Sequence, residues 1–86
     1  MLKKNSIAGT LESNDILVEL FVHDKGRVIE LESQVKAQFG AEILRVVRET
    51  LDEYKIDNVK VILKDHGALN FTIKARVKTA ILRGLE

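Results

Sequence analysis

The sequence predicts an α+β fold. The expected form is a small two-layer sandwich, a mainly antiparallel sheet with about two helices on one face, in the order β-β-β-α-β-α. Three observations predict it. Around residues 16–22 and 59–64, apolar side chains alternate along the chain, the period of a strand. Between these stretches Val35, Phe39, Ile43, Val47 and Leu51 recur every fourth residue, the stripe of a helix facing a core. There is no proline, and the five glycines are spread out, so no linker divides the chain and residues 1–86 read as a single domain.

The elements follow in order. Residues 6–11 are short and mixed and read as a first strand. Glu12-Ser13-Asn14-Asp15 gathers polar turn formers. Ile16, Val18, Leu20 and Val22 then alternate with Leu17, Glu19 and Phe21 as a second strand. His23-Asp24-Lys25-Gly26 reads as a hairpin turn, and residues 27–31 return as a third strand. Ser33 is placed to cap the helix that carries the four-residue stripe, which Val46, Thr50 and Tyr54 widen. Gly40 inside that stripe marks a kink or a close approach to the sheet. Asp57-Asn58 ends the unit. Val59, Val61 and Leu63 form the fourth strand, and Asp65-His66-Gly67 the next turn. The last segment alternates like a strand from Leu69 to Val77 and also repeats like a helix. The helix formers Ala75, Lys78, Ala80, Leu82 and Arg83 decide for a helix over residues 71–83, with Asn70 as its cap.

Length and composition limit what such a domain does. With 86 residues the expected radius of gyration is about 12 Å, which excludes a two-domain enzyme with a deep cleft. No cysteine is present, so a disulfide-stapled fold is excluded. An apolar fraction of 45% is too high for a disordered chain. The formal charge of +1 argues against a polybasic nucleic-acid binder. No apolar run has membrane-spanning length, and the two N-terminal lysines precede no apolar secretion segment. The expectation is a cytoplasmic domain without membrane contact.

The catalytic inventory is thin. His23 and His66 lie in turns without the local spacing of a metal site, and no glycines cluster as a phosphate loop. Glu49, Asp52, Glu53 and Asp57 read as a solvated helix face, and Tyr54 as core with its hydroxyl at the edge. The expectation is no catalytic residue and no metal. Charge is uneven, however: residues 70–86 carry Lys74, Arg76, Lys78 and Arg83 against Glu86 alone. A basic helix of this kind can meet phosphate or an acidic partner. One alternative is therefore a small non-covalent binding module that uses the C-terminal helix. Three phenylalanines and one tyrosine supply few stacking platforms for single-stranded nucleic acid.

One stretch goes beyond composition: Ala8-Gly9-Thr10-Leu11-Glu12-Ser13-Asn14-Asp15. It resembles the N-terminal signature of the acyl carrier (gamma) subunit of citrate lyase. Gln38-Phe39-Gly40 resembles that family's central segment. Asp65-x-Gly67-Ala68-Leu69 followed by Ile73-x-Ala75-Arg76 resembles its C-terminal segment, in the same register. The resemblance implies a non-catalytic carrier whose Ser13 bears 2'-(5''-phosphoribosyl)-3'-dephospho-CoA through a phosphodiester. Acetyl and citryl groups would ride on it as thioesters while citrate is cleaved to acetate and oxaloacetate. It further implies an alpha (acyl transferase) subunit, a beta (citryl lyase) subunit and a prosthetic-group transferase as partners, in the cytoplasm. Glu12 and Asp15 flank the acceptor as recognition groups. Arg76, then Lys74 and Lys78, are the expected contacts to partners or to the arm's phosphates. The carriers of malonate decarboxylase and citramalate lyase are the nearest alternatives. The all-helical acyl carrier protein does not fit, since its attachment site reads Asp-Ser-Leu where this chain has Glu12-Ser13-Asn14.

Overall fold

The computed structural model describes residues 1–86. Its elements are β1 (Ser6–Gly9), β2 (Ile16–Val22), β3 (Arg27–Ser33), α1 (Lys36–Glu53), β4 (Val59–Asp65) and α2 (Asn70–Leu85), the expected order. The four strands form one sheet in the spatial order β1-β2-β4-β3. β1 pairs antiparallel with β2, and β2 antiparallel with β4, whereas β3 runs parallel to β4. The radius of gyration is 11.6 Å.

The sheet corrects the expected hairpin at residues 23–26. β2 and β3 are not neighbours, because β4 lies between them. Parallel strands need a crossover, and α1 supplies it from β3 to β4. The turn instead wraps the start of β4: the Gly26 N–H donates to Asn58 Oδ1 at 2.8 Å, and the Gly26 carbonyl accepts from the Val59 N–H at 3.1 Å. Alternation shows which face of a strand is buried but not which strand lies beside it.

Both helices cover one face. Ile16, Val18 and Leu20 of β2 and Val59, Val61 and Leu63 of β4 are fully buried under Val47 and Leu51 of α1 and Ile73, Val77 and Ile81 of α2. Burial of each such side chain stabilises by about 1.5–3 kcal/mol. Gly40 is buried, and a Cβ there would touch Leu31 of β3 at 3.8 Å, which favours the close-approach reading over a kink.

Both expected caps are corrected. α1 starts after Val35 with no side-chain cap, and Ser33 is the last residue of β3. Its hydroxyl accepts from the Val35 N–H at 3.2 Å and donates to Asp65 Oδ2 at 3.0 Å. Leu69, not Asn70, occupies the cap position of α2, and the Asn70 side chain reaches Glu42 of α1 instead. Phe39 also departs from expectation. It belongs to the helical stripe, yet it is 54% exposed at the first turns of α1.

Candidate functional site

The loop between β1 and β2, residues 10–15, carries Ser13. Its two ends are tightly defined. Gly9 has φ +91°, and a Cβ there would lie 1.8 Å from the Ile16 carbonyl oxygen. Only glycine permits that approach of the two strands. At the other end Asp15 is 9% exposed, and every acceptor direction of its carboxylate is in use. Arg76 of α2 grips it with both nitrogens, Nε to Oδ1 at 3.0 Å and a terminal nitrogen to Oδ2 at 2.8 Å. The Thr10 hydroxyl donates to Oδ2 at 2.6 Å, and the Ile16 N–H to Oδ1 at 2.8 Å. The Arg76 hydrogen bonds hold the Asp15 pKa down at about 2, against the opposing pull of burial, with Thr10 and the Ile16 N–H adding to the effect. The same pairing raises the Arg76 pKa.

The loop is also tied to the connection between β4 and α2. The Asn14 N–H donates to the His66 carbonyl at 2.7 Å, and the His66 N–H to the Asp15 carbonyl at 2.9 Å. These bonds continue the β2–β4 ladder past Ile16 and Asp65. Asn14 takes φ 65°, a left-handed conformation that asparagine tolerates. Asp65 holds the connection in turn. Its buried carboxylate accepts from the Gly67 and Ala68 N–H groups at 3.2 and 3.0 Å and from Ser33.

Glu12, Ser13 and Asn14 project from this frame and are exposed. The Ser13 hydroxyl takes no part in the side-chain bonds that tie the loop. The arrangement is a fixed platform with one free nucleophilic oxygen at its tip. No side-chain hydrogen bond engages that oxygen, so it is open to approach from outside the chain.

The structure sorts the expected site residues. Ser13 and Glu12 are together and open. Asp15 lies in the same loop but is buried and engaged, so its carboxylate is not offered to another protein. Arg76 is likewise occupied inside the chain. Lys74 lies 3.7 Å from Glu53, Arg83 donates to the Ile7 carbonyl at 2.7 Å, and Lys78 is exposed. The excess charge of α2 is therefore not a continuous basic surface, and the binding-module reading loses its motive. The acidic run at the end of α1 is exposed, and two of its members meet Arg27 and Lys74. Sequence reasoning missed Thr10 and Asp65 as supports. A signal existed, since both belong to the segments Gly9-Thr10-x-x-x-x-Asp15 and Asp65-x-Gly67.

Comparison with known proteins gives the family of the whole domain. Residues 3–84 match the family model of the malonate decarboxylase delta subunit (MdcD). The citrate lyase acyl carrier protein of Lactiplantibacillus plantarum is 52% identical over 85 residues, covering 99% of this chain and 88% of that one. That of Treponema denticola is 45% identical, covering 99% and 97%. The chain belongs to the citrate lyase acyl carrier protein family. The match runs through the whole domain, so the Ser13 loop, its Asp15–Arg76 clamp and the Asp65 turn all lie inside the family's shared region. A solved structure of a Pseudomonas malonate decarboxylase hetero-tetramer in complex with malonate contains a chain of the same fold. Its TM-score is 0.74 at 13% identity, covering 94% of this chain and 84% of that chain.

Proposed function

We propose that the chain is the acyl carrier component of a citrate lyase and that Ser13 is its attachment residue. The observation that supports this is the exposed, unengaged Ser13 hydroxyl on a loop whose two ends are fixed. The residues present fit a covalent group there. A modifying enzyme can reach the hydroxyl, and the loop needs no rearrangement to present it. The group we assign is 2'-(5''-phosphoribosyl)-3'-dephospho-CoA, joined to Ser13 by a phosphodiester. When attached it supplies a terminal thiol, which this cysteine-free chain lacks, for acetyl and citryl cargo.

The chain's own residues do the rest. Gly9, Thr10, Asp15 and Arg76 hold the anchor point still, so that motion is confined to the arm. A tethered group then meets each active site at a raised effective concentration. The carrier supplies no acid, base or metal. Those belong to an acyl transferase (alpha) subunit and a citryl lyase (beta) subunit, and a transferase loads the group. Glu12, exposed beside Ser13, is the flanking group available to that transferase, while Asp15 contributes by position. Arg76 acts through Asp15 and not on phosphate. Lys78, exposed on the outer face of α2, is its cation left to meet the large subunits, with Lys74 exposed beside it but 3.7 Å from Glu53. No helix is long and apolar enough to cross a membrane, and we place the complex in the cytoplasm.

Intact mass and peptide mapping of the protein from a citrate-fermenting host test the reading. The expected result is one covalent group, on Ser13. A Ser13→Ala chain should fold normally and fail to support citrate cleavage in the reassembled complex. Full activity of that variant would refute the assignment. The high identity to relatives named for citrate lyase favours citrate over malonate as the system served.

A further inference from the structure

Beside the Ser13 loop, between the start of α1 and the β4–α2 connection, lies an open groove of about 590 Å³. Small-molecule sites run to about 300–1,000 Å³. Phe39 and Ile43 line one wall, Ala68 and Leu69 the other, and Glu42 and Asn70 add the polar side chains that bear on its chemistry. Phe39 and Leu69 are 54% and 63% exposed, so the groove presents apolar surface that the fold does not use.

Two features say what it suits. The first is continuity with the attachment loop. The wall begins at Gly67, where a Cβ would meet Asn14 Oδ1 at 3.5 Å, next to the His66 backbone that bonds Asn14 and Asp15. The second is the orientation of Asn70. Its Nδ2 donates to Glu42 Oε1 at 2.9 Å. Arg45, and then Asn70 itself, hold the Glu42 pKa low. A carboxylate accepts only, so the amide NH2 must face it. That leaves Asn70 Oδ1 free as an acceptor. The groove therefore offers an aromatic face, aliphatic walls and an acceptor, and its lining has the Glu42 and Asp65 carboxylates but no cationic side chain to receive phosphate.

The geometry points to the adenine of the covalent group as the occupant of this groove, an inference that rests on the carrier reading above. Within that group adenine is the flat, uncharged aromatic part, and its exocyclic amine is a donor for Asn70 Oδ1. Its nucleoside also follows directly on the phosphoribosyl unit joined to serine. The flexible pantetheine would lose more conformational freedom on being held. Seating the base moves the arm's pivot from Ser13 to the groove and leaves the diphosphate and pantetheine to extend toward the large subunits.

Methyl and amide NMR of the unmodified chain tests this, with adenosine, dephospho-CoA and pantetheine as separate probes. Adenosine and dephospho-CoA should shift Ile43, Ala68 and Leu69, with millimolar affinity, and pantetheine should not. Phe39→Ala should weaken dephospho-CoA binding about tenfold by removing a stacking face. Phe39→Tyr should keep it, and Asn70→Ala should weaken it several-fold. Phe39 and Asn70 are exposed, so these variants should fold. The loaded chain should show the same groove shifts relative to the unmodified one. Attachment is read separately by mass. A mass increment with unchanged groove signals rejects the seat and leaves the carrier reading intact. A chain never modified in its host rejects the carrier reading, and with it the tethered seat, whatever free adenosine does. Shifts from pantetheine alone, or groove shifts only on adding a large subunit, overturn the assignment.

Discussion

Two arginines of this molecule grip carboxylates, and they do so in opposite settings. Arg76 reaches across 61 residues of sequence to Asp15, whose side chain is 12% exposed. Arg45 bonds Glu42 and Glu49, one turn away on either side along α1, where all three are at least 44% exposed. Both arginine pKa values are raised by their partners. The energetic meaning differs. A local, hydrated pair on a helix surface adds little to stability, because water competes and long side chains must be ordered. Removing one partner from a shielded pair leaves the other desolvated and unmet. The comparison teaches that bond number and length do not identify a working pair. Burial and sequence separation do, and here they mark the loop that presents Ser13.

Changes in the loop should therefore be felt and changes on the helix surface should not. The largest effect is expected from Gly9→Ala, which drives a Cβ into the Ile16 carbonyl at a positive φ. A loss of more than about 3 kcal/mol in denaturant unfolding is predicted. Next comes the Asp15–Arg76 clamp. Arg76→Gln should lower stability by about 1–2 kcal/mol, moderated because the guanidinium is 40% exposed. It should also raise hydrogen exchange at the Asn14 amide, which a purely global effect would not single out.

The same pair predicts a pH dependence. Asp15 has a folded pKa of about 2, below its ordinary value of 3.8. Its contribution is fully present above the unfolded value and is lost as pH falls through the folded one. Stability should thus drop by about 2 kcal/mol between pH about 4 and 2 on account of this group. Asp15→Asn should flatten that part of the curve measured by denaturant midpoints. Thr10→Val should lose about 1 kcal/mol through one hydrogen bond to the same carboxylate. Arg45→Gln should leave the unfolding midpoint unchanged within measurement error at physiological salt. An Arg45 effect as large as that of Arg76 would break the comparison.

Most of the fold was legible in the chain. Alternation along β2 and β4 and the four-residue stripe of α1 expose the buried faces directly, because strand and helix periods are properties of the backbone. The ambiguous C-terminal segment resolved to helix through propensity, and α2 spans Asn70–Leu85. Strand neighbours were not legible, since β4 pairs with β2 and β3 alike through backbone groups that every sequence carries. The fate of Phe39 was hidden for a related reason. A stripe says which way a helix faces, not where the opposing layer ends.

The candidate site divides along the same line. A small α+β domain, a polar loop that carries a serine, and a family resemblance that the relatives bear out can all be read along the chain. That Asp15 and Arg76 serve each other, that Thr10 and the His66 backbone complete the frame, and that Phe39 and Leu69 line one groove beside it are visible only once the chain is folded. The physical reason is that charge and hydrogen-bonding capacity are written in each residue, whereas which charge is spent inside the chain depends on what folding brings within 3 Å of it.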